Sequence, residues 1–423
     1  MKVFKFGGAS IKSPESIRNM ASIIRQYTGE QLVVVVSAMG KTTNHLESLF
    51  ALVKNKKEGQ EKFREIASYH LEISGQLIRE KENRDEVNSI LGQLENSFQK
   101  ADPNENPDKM YDQIISYGEL ISSTIIGCYL SETGMAVRWA DARKFIRTDP
   151  AYREAKINWP VTCKLIQDQL GPEISSRLVL TQGFIGSTEN ENTTTLGREG
   201  SDFTAAIIAN CLNAESVTIW KDVPGILNAD PKRFPDPKLY DHLSFQEAAE
   251  MTYYGASVIH PKTIKPLANK NIPLFVKSFE RPDLPGTRID QGGPHPVYPT
   301  FVVKDSQCLV SFLAKDLAFI NENSLSIIFH VLDMLNIKIN MMQNSAVSLT
   351  ICVDNNSRKV IKMIDALKND FSIRFNEDLR LITVKNYSPA SIIQVMKDKK
   401  ILVEQRTRNT FQIVFDPGSG KPS

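Results

Sequence analysis

Short, strongly apolar runs alternate with helical segments along residues 1–290. Continuously apolar strands of this length are typical of a parallel sheet that is buried on both faces. The alternation therefore predicts an α/β fold in which a mainly parallel sheet lies between layers of helices. The runs are rich in Val, Ile and Leu, and they lie at 3–6, 32–36, 137–139, 178–181, 217–220 and 274–276.

Residues 54–110 depart from this alternation, because they are charged, helical in pattern and without a strand. We expect a helical insertion within a catalytic domain of residues 1–290. The insertion either closes over a functional site or forms a solvated helical hairpin, and the sequence leaves both alternatives open. One helix face is indicated by the spacing of Val87, Ile90, Leu91, Leu94 and Phe98.

Glycine and proline accumulate at 290–299, which indicates a domain boundary. Beyond it, residues 299–423 show a strand–helix–strand–strand pattern twice. The pattern predicts two small ferredoxin-like units that are intertwined. The first covers about 305–372, and the second combines 299–304 with 375–415.

The charge balance and the hydropathy pattern argue against several classes of function. The 423 residues contain 51 Lys and Arg against 49 Asp and Glu, a formal net charge of +2. This near balance argues against nucleic acid as a partner, since phosphate contacts need a concentrated basic surface. No run reaches the ~18 apolar residues of a membrane span. The N-terminus has no signal-peptide core, so we expect a cytoplasmic protein without a membrane partner.

The five cysteines lie far apart and form no CxxC pair. This spacing favours neither a zinc site nor a disulfide framework. We therefore expect buried, unpaired thiols, as in a reducing compartment.

A glycine turn follows the first strand, in the segment Lys5-Phe-Gly7-Gly8-Ala-Ser10. Two glycines let backbone N–H groups approach an anion, and Lys5 places a positive charge beside them. A Gly-Gly pair by itself is also typical of an ordinary turn, so this motif alone is a weak indication of phosphate binding.

Neither of the common nucleotide-binding loops is present. The segment 37–43, Ser-Ala-Met-Gly-Lys-Thr-Thr, resembles a P-loop, but Val35 stands where that motif needs its first glycine. No GxGxxG follows a strand. The loop still offers Ser37 and Thr43 to a ligand at the same edge of the sheet.

The segment 193–202, Thr-Thr-Thr-Leu-Gly-Arg-Glu-Gly-Ser-Asp, precedes an apolar helix. Ser201 is the predicted N-cap of that helix, whose N-terminus favours anions. Gly197 and Gly200 lie on the two sides of Arg198, whose guanidinium can grip a carboxylate in bidentate fashion. Asp202 either compensates the helix dipole or takes part in catalysis.

The segment 220–232 follows a strand with two turn-forming units. Lys221, Asp222 and Lys232 are candidates for contacts with adenine, ribose and phosphate. As composition alone, the segment is equally typical of a plain loop.

Taken in order, these stretches resemble the aspartate kinases of the amino-acid kinase family. The residues after 299 resemble the tandem ACT regulatory domains of that family. The matching segments are KFGGAS (5–10), SAMGKTTN (37–44), SYGELIS (116–122), TQGFIGS (181–187), TTTLGREGSD (193–202), WKDVPGILNADP (220–231) and GASVIHP (255–261).

The resemblance implies ATP-dependent phosphorylation of the side chain of L-aspartate, giving 4-phospho-L-aspartate. This is the first step toward lysine, threonine, methionine and diaminopimelate. It implies ATP as the phosphoryl donor and Mg²⁺ carried by ATP, with no certain protein ligand to the metal. The implied catalytic residues are Lys5 and Asp202. Substrate contacts are implied for Thr43, Glu119, Arg198 and Ser201, and phosphate or nucleotide contacts for Gly7, Gly8, Ser10, Ser37, Lys221, Asp222, Lys232 and Ser257.

The regulatory part departs from its relatives where an amino-acid effector would bind. The aligned effector positions are Asn323, Ser324, Ile339 and Asn340, and the acidic positions that hold lysine in relatives align with Asn340 and Ala346. We expect weak lysine binding at most, with threonine or no effector left open, and a homodimer through the ACT domains. Two alternative functions also stay open: a related carboxylate kinase and a catalytically inactive amino-acid sensor.

Overall fold

The computed structural model shows two compact units, each with its own sheet and core. The first comprises Met1–Ile226, Leu239–Ala249 and Val258–Pro294. The second comprises Leu227–Lys238, Glu250–Ser257 and His295–Ser423. The structure describes residues 1–55, 57–102, 104–256, 259–292, 298–315 and 319–418.

Ten strands lie in the described part of the first unit. Eight of them form one sheet in the order β3-β4-β2-β1-β7-β9-β10-β8, in which only the β9–β10 pair is antiparallel. The strands β5 and β6 form a separate hairpin. The bounds are β1 (Lys2–Phe6), β2 (Leu32–Val36), β3 (Val137–Ala140), β4 (Leu178–Gln182), β5 (Ile185–Ser187), β6 (Thr193–Thr195), β7 (Ser216–Lys221), β8 (His242–Ser244), β9 (Leu274–Ser278) and β10 (Thr287–Asp290).

The predicted mainly parallel sheet is confirmed, and each of the six apolar runs is one of its strands. All five residues of β2 are buried, as expected for a strand that is covered on both faces. The strands β5, β6, β8 and β10 were not predicted. They have only three or four residues each, too few for a pattern to stand out.

The helices of the first unit begin with α1 (Pro14–Arg25) and α2 (Thr42–Lys54). Helix α8 packs on β1, β2 and β7, while α6 and α7 pack on β4. Helix α9 crosses the division between the units at residue 249. The remaining bounds are α3 (Gln60–Leu77), α4 (Lys81–Gln99), α5 (Pro107–Ile115), α6 (Tyr117–Glu132), α7 (Trp159–Ile174), α8 (Gly200–Cys211), α9 (Phe245–Tyr254) and α10 (Pro261–Ala268).

Helices α3, α4 and the start of α5 fill the predicted insertion, residues 54–110. The five residues predicted to share one face of α4 are all buried there. The face therefore packs inward, as its 3.6-residue spacing indicates.

One helical stretch, Pro107–Glu132, has the length and hydropathy of a membrane span. Its apolar window is 83% buried inside the protein. The core helix of a folded domain gives the same signal, because such a helix is apolar on all sides.

The second unit is built on a six-stranded antiparallel sheet in the order β12-β13-β11-β14-β16-β15. Helices α11 and α12 cover the half that contains β11, β12 and β13, and α13 packs on β14 in the other half. The bounds are β11 (Thr300–Ala314), α11 (Glu322–Met334), β12 (Ile339–Asn344), β13 (Ser348–Asp354), α12 (Ser357–Leu367), β14 (Phe371–Lys385), α13 (Pro389–Met396), β15 (Lys400–Arg406) and β16 (Thr410–Asp416).

The two halves of this sheet share its central pair of strands. Residues 300–304 of β11 pair with 381–385 of β14, and residues 309–314 pair with 371–376. The register shifts around Gln307, where Ser306 and Asp378 have left-handed backbone conformations. The sheet is therefore continuous, with an irregularity where one half meets the other.

The expectation of unpaired cysteines is wrong for two of the five. Cys163 in α7 and Cys211 in α8 form a disulfide. They are 48 residues apart, so spacing in the sequence gives no hint of the pairing. Only the packing of α7 on α8 brings them together. The other three, Cys128, Cys308 and Cys352, are buried and free.

Candidate active site

The carboxyl ends of β1 and β7 place two lysines beside one aspartate. Lys5 lies in β1 and Lys221 ends β7, and these strands are parallel neighbours. Asp202 lies in the first turn of α8. The Nζ of Lys5 is 2.6 Å from Oδ1 of Asp202, and the Nζ of Lys221 is 3.6 Å from Oδ2. The two residues predicted to be catalytic thus form one ionic cluster with a residue predicted to bind nucleotide.

Asp202 and Lys5 are buried, Lys221 is half-buried, and the three side chains together carry one net positive charge. Asp202 is only 2% exposed and Lys5 only 8%. Burial alone would raise the pKa of Asp202, but the ammonium groups of Lys5 and Lys221 outweigh burial and lower it. The carboxylate is therefore ionised at neutral pH and balances one of two positive charges. The remaining charge favours an anion at this edge of the sheet.

The glycine turn after β1 packs tightly against the loop after β2. The N–H of Gly40 donates to the carbonyl of Gly8 over 3.0 Å. A Cβ on Gly8 would lie 2.5 Å from the carbonyl oxygen of Ala38, so only glycine fits. A Cβ on Gly7 would lie 3.5 Å from Nζ of Lys5. The turn therefore brings its backbone close to the Lys5 ammonium, as the glycine motif predicts.

Glu119 places a second buried carboxyl group near this turn. It lies in the first turn of α6, and its Oε1 accepts a 3.3 Å hydrogen bond from the N–H of Ala38. Its Oε2 is buried with no hydrogen-bond partner among the described residues. Burial raises the pKa of Glu119 to about 8. An unpartnered carboxyl group of this kind is suited to a cationic ligand group.

Arg198 and Ser201 lie where β6 leads into α8. Arg198 is exposed on the loop, and Ser201 is buried. The prediction that Ser201 is the N-cap is wrong. The helix begins at Gly200, and Glu199 occupies the cap position in a left-handed conformation with φ of 54°. The left-handed residues Gly197 and Glu199 turn the chain into the helix early, which leaves Ser201 inside its first turn.

Glu199 was not predicted as a site residue. Its Oε2 is buried without a hydrogen-bond partner among the described residues. Burial raises its pKa, although Lys221 acts in the opposite direction. A non-glycine residue in the left-handed region is often found at a functional site. In the sequence, only its position between Arg198 and Gly200 could have marked Glu199 as a site residue.

Several of the predicted site residues take part in hydrogen bonds with backbone carbonyl groups, or lie closer to the surface. The hydroxyl of Ser10 is buried and donates to the carbonyl of Trp220 over 3.4 Å. The carbonyl of Ser37 accepts a 2.6 Å hydrogen bond from Ser122. Thr43 is half-buried in the first turn of α2, and Asp222 is exposed after β7.

Two further nucleotide candidates lie outside the described residues of the first unit. Lys232 belongs to the second unit and is exposed. Ser257 lies outside the described residues. Their predicted roles in nucleotide binding remain predictions.

The predicted effector residues lie in the second unit. Asn323 and Ser324 are in the first turn of α11, and Ile339 begins β12. The side chain of Asn340 is buried and fully engaged. Its Oδ1 accepts a 2.7 Å hydrogen bond from Nζ of Lys304, and its Nδ2 donates to Oε1 of Gln307 and Oδ1 of Asp354, each over 2.8 Å.

The described residues contain no group of three or more His, Cys, Asp or Glu side chains arranged to hold a metal ion. Asp202, the carboxylate at the centre of the cluster, already faces two ammonium groups. A divalent cation would have to compete with both, so the residues fit a metal that arrives with an anionic ligand of its own.

Comparison with known proteins identifies the family to which this arrangement corresponds. Residues 1–278 match the model of the amino acid kinase family. Lysine-sensitive aspartokinase 3 of Escherichia coli K12 is 32% identical over 355 residues, which are 83% of this chain and 78% of that protein. Aspartokinase 1, chloroplastic, of Arabidopsis thaliana is 31% identical over 98% of this chain and 74% of its own length. A bifunctional aspartokinase/homoserine dehydrogenase 2 of the same plant is 32% identical over 68% of this chain, which spans 32% of that protein.

Solved structures give the same result for the fold. The crystal structure of E. coli aspartokinase III with aspartate and ADP, in the R-state, has a TM-score of 0.85 at 28% sequence identity. The alignment covers 98% of this chain and 96% of that one. The structure of the same enzyme with lysine and aspartate, in the T-state, has a TM-score of 0.81.

Proposed function

The chain belongs to the amino acid kinase family and is an aspartate kinase, and on this premise we propose that it transfers the γ-phosphoryl group of ATP to the side-chain carboxylate of L-aspartate. The observation that carries the proposal is the Lys5–Asp202–Lys221 cluster at the carboxyl edge of the parallel sheet. Ligands bind at this edge in open α/β folds.

The chemistry needs a surplus of positive charge more than it needs a nucleophile from the protein. An oxygen of the aspartate side chain attacks the γ-phosphorus, the bond from that phosphorus to the β,γ-bridging oxygen breaks, and ADP leaves with 4-phospho-L-aspartate as product. Carboxylate and triphosphate repel each other, so catalysis depends on positioning and on charge stabilisation. Lys5 supplies a fixed charge beside the Gly7–Gly8 turn, and Asp202 holds Lys5 and Lys221 in place.

Mg²⁺ fits this site only as a partner of the nucleotide phosphates. Asp202 is already neutralised by two lysines, and Lys5 occupies the space beside it. The ion would supply further neutralisation of the triphosphate when it is bound.

The experiment that tests the function measures ADP release in the presence of ATP and one amino acid at a time. We expect release with L-aspartate and little with L-glutamate or N-acetyl-L-glutamate. Turnover of glutamate derivatives alone would support the related carboxylate kinase. Binding of amino acids without any turnover would support the inactive sensor.

We assign the α-carboxylate of aspartate to Arg198 and its α-ammonium group to Glu119, with Thr43 and Ser201 as further substrate contacts. Arg198 is exposed on a short loop that ends at the buried cluster, and Glu119 has an unpartnered oxygen. The opposite charges of these two groups match the two charges on the backbone of an amino acid. Gly7, Gly8, Ser10, Ser37, Lys221, Asp222, Lys232 and Ser257 are assigned to the nucleotide.

Substituting lysine for Arg198 is expected to raise the KM for aspartate by about ten-fold or more, while the KM for ATP changes little. An ammonium group cannot reproduce the two parallel hydrogen bonds of a guanidinium to a carboxylate. Steady-state kinetics with each substrate varied in turn measures the difference. An equal rise in both KM values would contradict the assignment of Arg198 to aspartate.

The pKa of Glu119, about 8, predicts a pH dependence of aspartate binding. Only the ionised carboxylate attracts the α-ammonium group, so the ionised fraction of free enzyme falls as the pH drops from 8 to 7. The KM for aspartate should rise by about five-fold over that unit of pH. Glu119→Gln should have a high KM that does not vary in this range. A wild-type KM that is constant from pH 7 to 8 would contradict this role.

The regulatory part of the proposal concerns the second unit. We propose that residues 299–423 form intertwined ACT domains, about 305–372 and 299–304 with 375–415, which regulate a catalytic domain of residues 1–290 with its 54–110 insertion. The similar E. coli enzyme was crystallised with lysine. Here the Nζ of Lys304 already donates a hydrogen bond to Oδ1 of Asn340, and it lies 4.0 Å from Oδ1 of Asp354. A second ammonium group at that place would be repelled.

Lysine at about 1 mM is therefore expected to change the aspartate-dependent rate of the full chain by less than about two-fold. Threonine, alone or with lysine, is the effector to test beside it. Rates of ADP release with each amino acid measure the effect. Strong inhibition by sub-millimolar lysine that is lost in Asn340→Ala would show that the pocket accepts lysine after all.

A homodimer through the second unit completes the proposal. The strands β12 and β15 are the edges of its sheet, and edge strands tend to pair with a second copy. Exposed Met334, Met342 and Val347 lie close to the β12 edge in the sequence. Light scattering on the full chain should give twice the 47.5 kDa monomer mass. A cytoplasmic location and a place in lysine and threonine biosynthesis belong to the same proposal.

A further inference from the structure

A buried carboxylate just beyond the helical insertion binds two separate segments of the chain. Asp112 lies in α5 and is fully buried. Its Oδ2 accepts hydrogen bonds from the N–H of Thr195, at 2.8 Å, and from the N–H of Arg153, at 3.0 Å. Its Oδ1 accepts from the hydroxyl of Thr195, at 2.7 Å, and again from the N–H of Arg153, at 3.1 Å. Both oxygens are thus fully occupied by two residues.

Thr195 and Arg153 both adjoin the loop that carries Arg198. Thr195 ends β6, three residues before Arg198, and its carbonyl accepts a 3.0 Å hydrogen bond from the N–H of Ala155. A Cβ on Gly197 would lie 3.2 Å from the carbonyl oxygen of Arg153 and 3.0 Å from Cγ of Glu154. Segment 153–155 therefore contacts the loop on both sides of Leu196.

Burying a carboxylate has a free-energy cost that is high for a contact whose only role is to join two segments. Burial raises the pKa of Asp112, and hydrogen bonds from Arg153 and Thr195 act against that rise. Arg153 itself has a left-handed conformation with φ of 70°, which a non-glycine residue adopts only when its surroundings impose it. The left-handed Arg153 and the buried Asp112 thus both support the loop that carries the exposed Arg198.

We infer that Asp112 is a positioning residue for Arg198, and that helix α5 thereby sets the affinity of the enzyme for aspartate. The inference rests on the proposed role of Arg198 in binding the α-carboxylate. It assigns a function to helix α5, which begins within the predicted insertion and continues beyond it. Asp112 does not touch substrate, so its effect should pass through the loop alone.

The test compares Asp112→Asn with a matched variant in the same helix, Asp108→Asn. The half-exposed Asp108 pairs with the guanidinium of Arg153, whereas Asp112 binds the backbone of that residue. We expect Asp112→Asn to raise the KM for aspartate by about ten-fold, with the KM for ATP within about two-fold of wild type. Asp108→Asn should leave both KM values unchanged.

A double variant separates positioning from a general loss of structure. If Asp112 acts through Arg198, Asp112→Asn should add little to the KM for aspartate in an Arg198→Lys background. A full multiplicative effect, or equal rises in both KM values, would overturn the inference.

If Asp112→Asn does not fold, Thr195→Val decides the matter, because it removes only the 2.7 Å hydroxyl bond and should raise the KM for aspartate alone. A wild-type enzyme without aspartate turnover would instead contradict the proposed function.

Discussion

Replacing Lys5 with alanine is expected to lower kcat by about 100-fold or more, with a chain that still folds. In its proposed role, Lys5 contributes a preorganised charge at the point where negative charge concentrates during phosphoryl transfer, and losing one such group typically costs about this much. Lys221 remains beside Asp202 in the variant. The buried carboxylate therefore keeps one ionic partner, which limits the cost to stability.

The matched control for this variant lies three residues away in the same strand. Lys2 pairs with Glu30 at the opposite end of β1. Lys2→Ala should keep wild-type turnover, and thermal unfolding of both variants should show that each is folded. A Lys5→Ala enzyme with near-normal kcat would exclude the assigned role in phosphate stabilisation.

The second large effect is expected for Asp202→Asn, which keeps the shape of the side chain and removes its charge. Lys5 and Lys221 then lose the carboxylate that holds them, and their ammonium groups repel each other. We expect kcat to fall by about 100-fold or more, because the charges are no longer fixed where the transferred group passes in the proposed mechanism. The affinity for ADP should stay the same or increase, since the proposed phosphate site then lacks its nearest negative charge.

This split between turnover and nucleotide affinity distinguishes an organising role from a structural one. Calorimetry with ADP and steady-state kinetics measure the two quantities. Asp168→Asn, at an exposed position of α7, is the matched control and should change neither. Loss of ADP binding together with kcat would indicate that the site has collapsed and that Asp202 is needed mainly for stability.

Sequence reasoning was strongest where a strand is buried on both faces. Runs such as Leu32–Val36 are apolar without interruption, so they stand out without any knowledge of their neighbours. The long strand β14 is harder to recognise in the sequence. Its first part alternates exposed polar residues such as Arg374 with half-buried Ile373, a pattern that is easily taken for a loop.

In the candidate site, sequence reasoning identified residues but not their contacts. Lys5, Asp202 and Lys221 were each singled out, yet their ionic cluster depends on β1 pairing with β7, a neighbour more than 200 residues away in the chain. The N-cap was placed at Ser201 because serine favours that position, while the structure uses left-handed Glu199. Asp112 gave no signal at all, since its partners at 153 and 195 are close only in space.

The two shared strands of the second unit have a consequence for how that unit assembles. Strands β11 and β14 form the centre of its sheet, and residues 315–370 lie between them in the chain. Neither half can complete its own sheet until these distant segments meet, which is a slow kind of event for a folding chain. A truncation anywhere in 315–370 would remove β14 and leave the whole length of β11 as an open edge. Residues 298–418 should therefore unfold in a single cooperative transition, without a stable half-sized fragment on limited proteolysis.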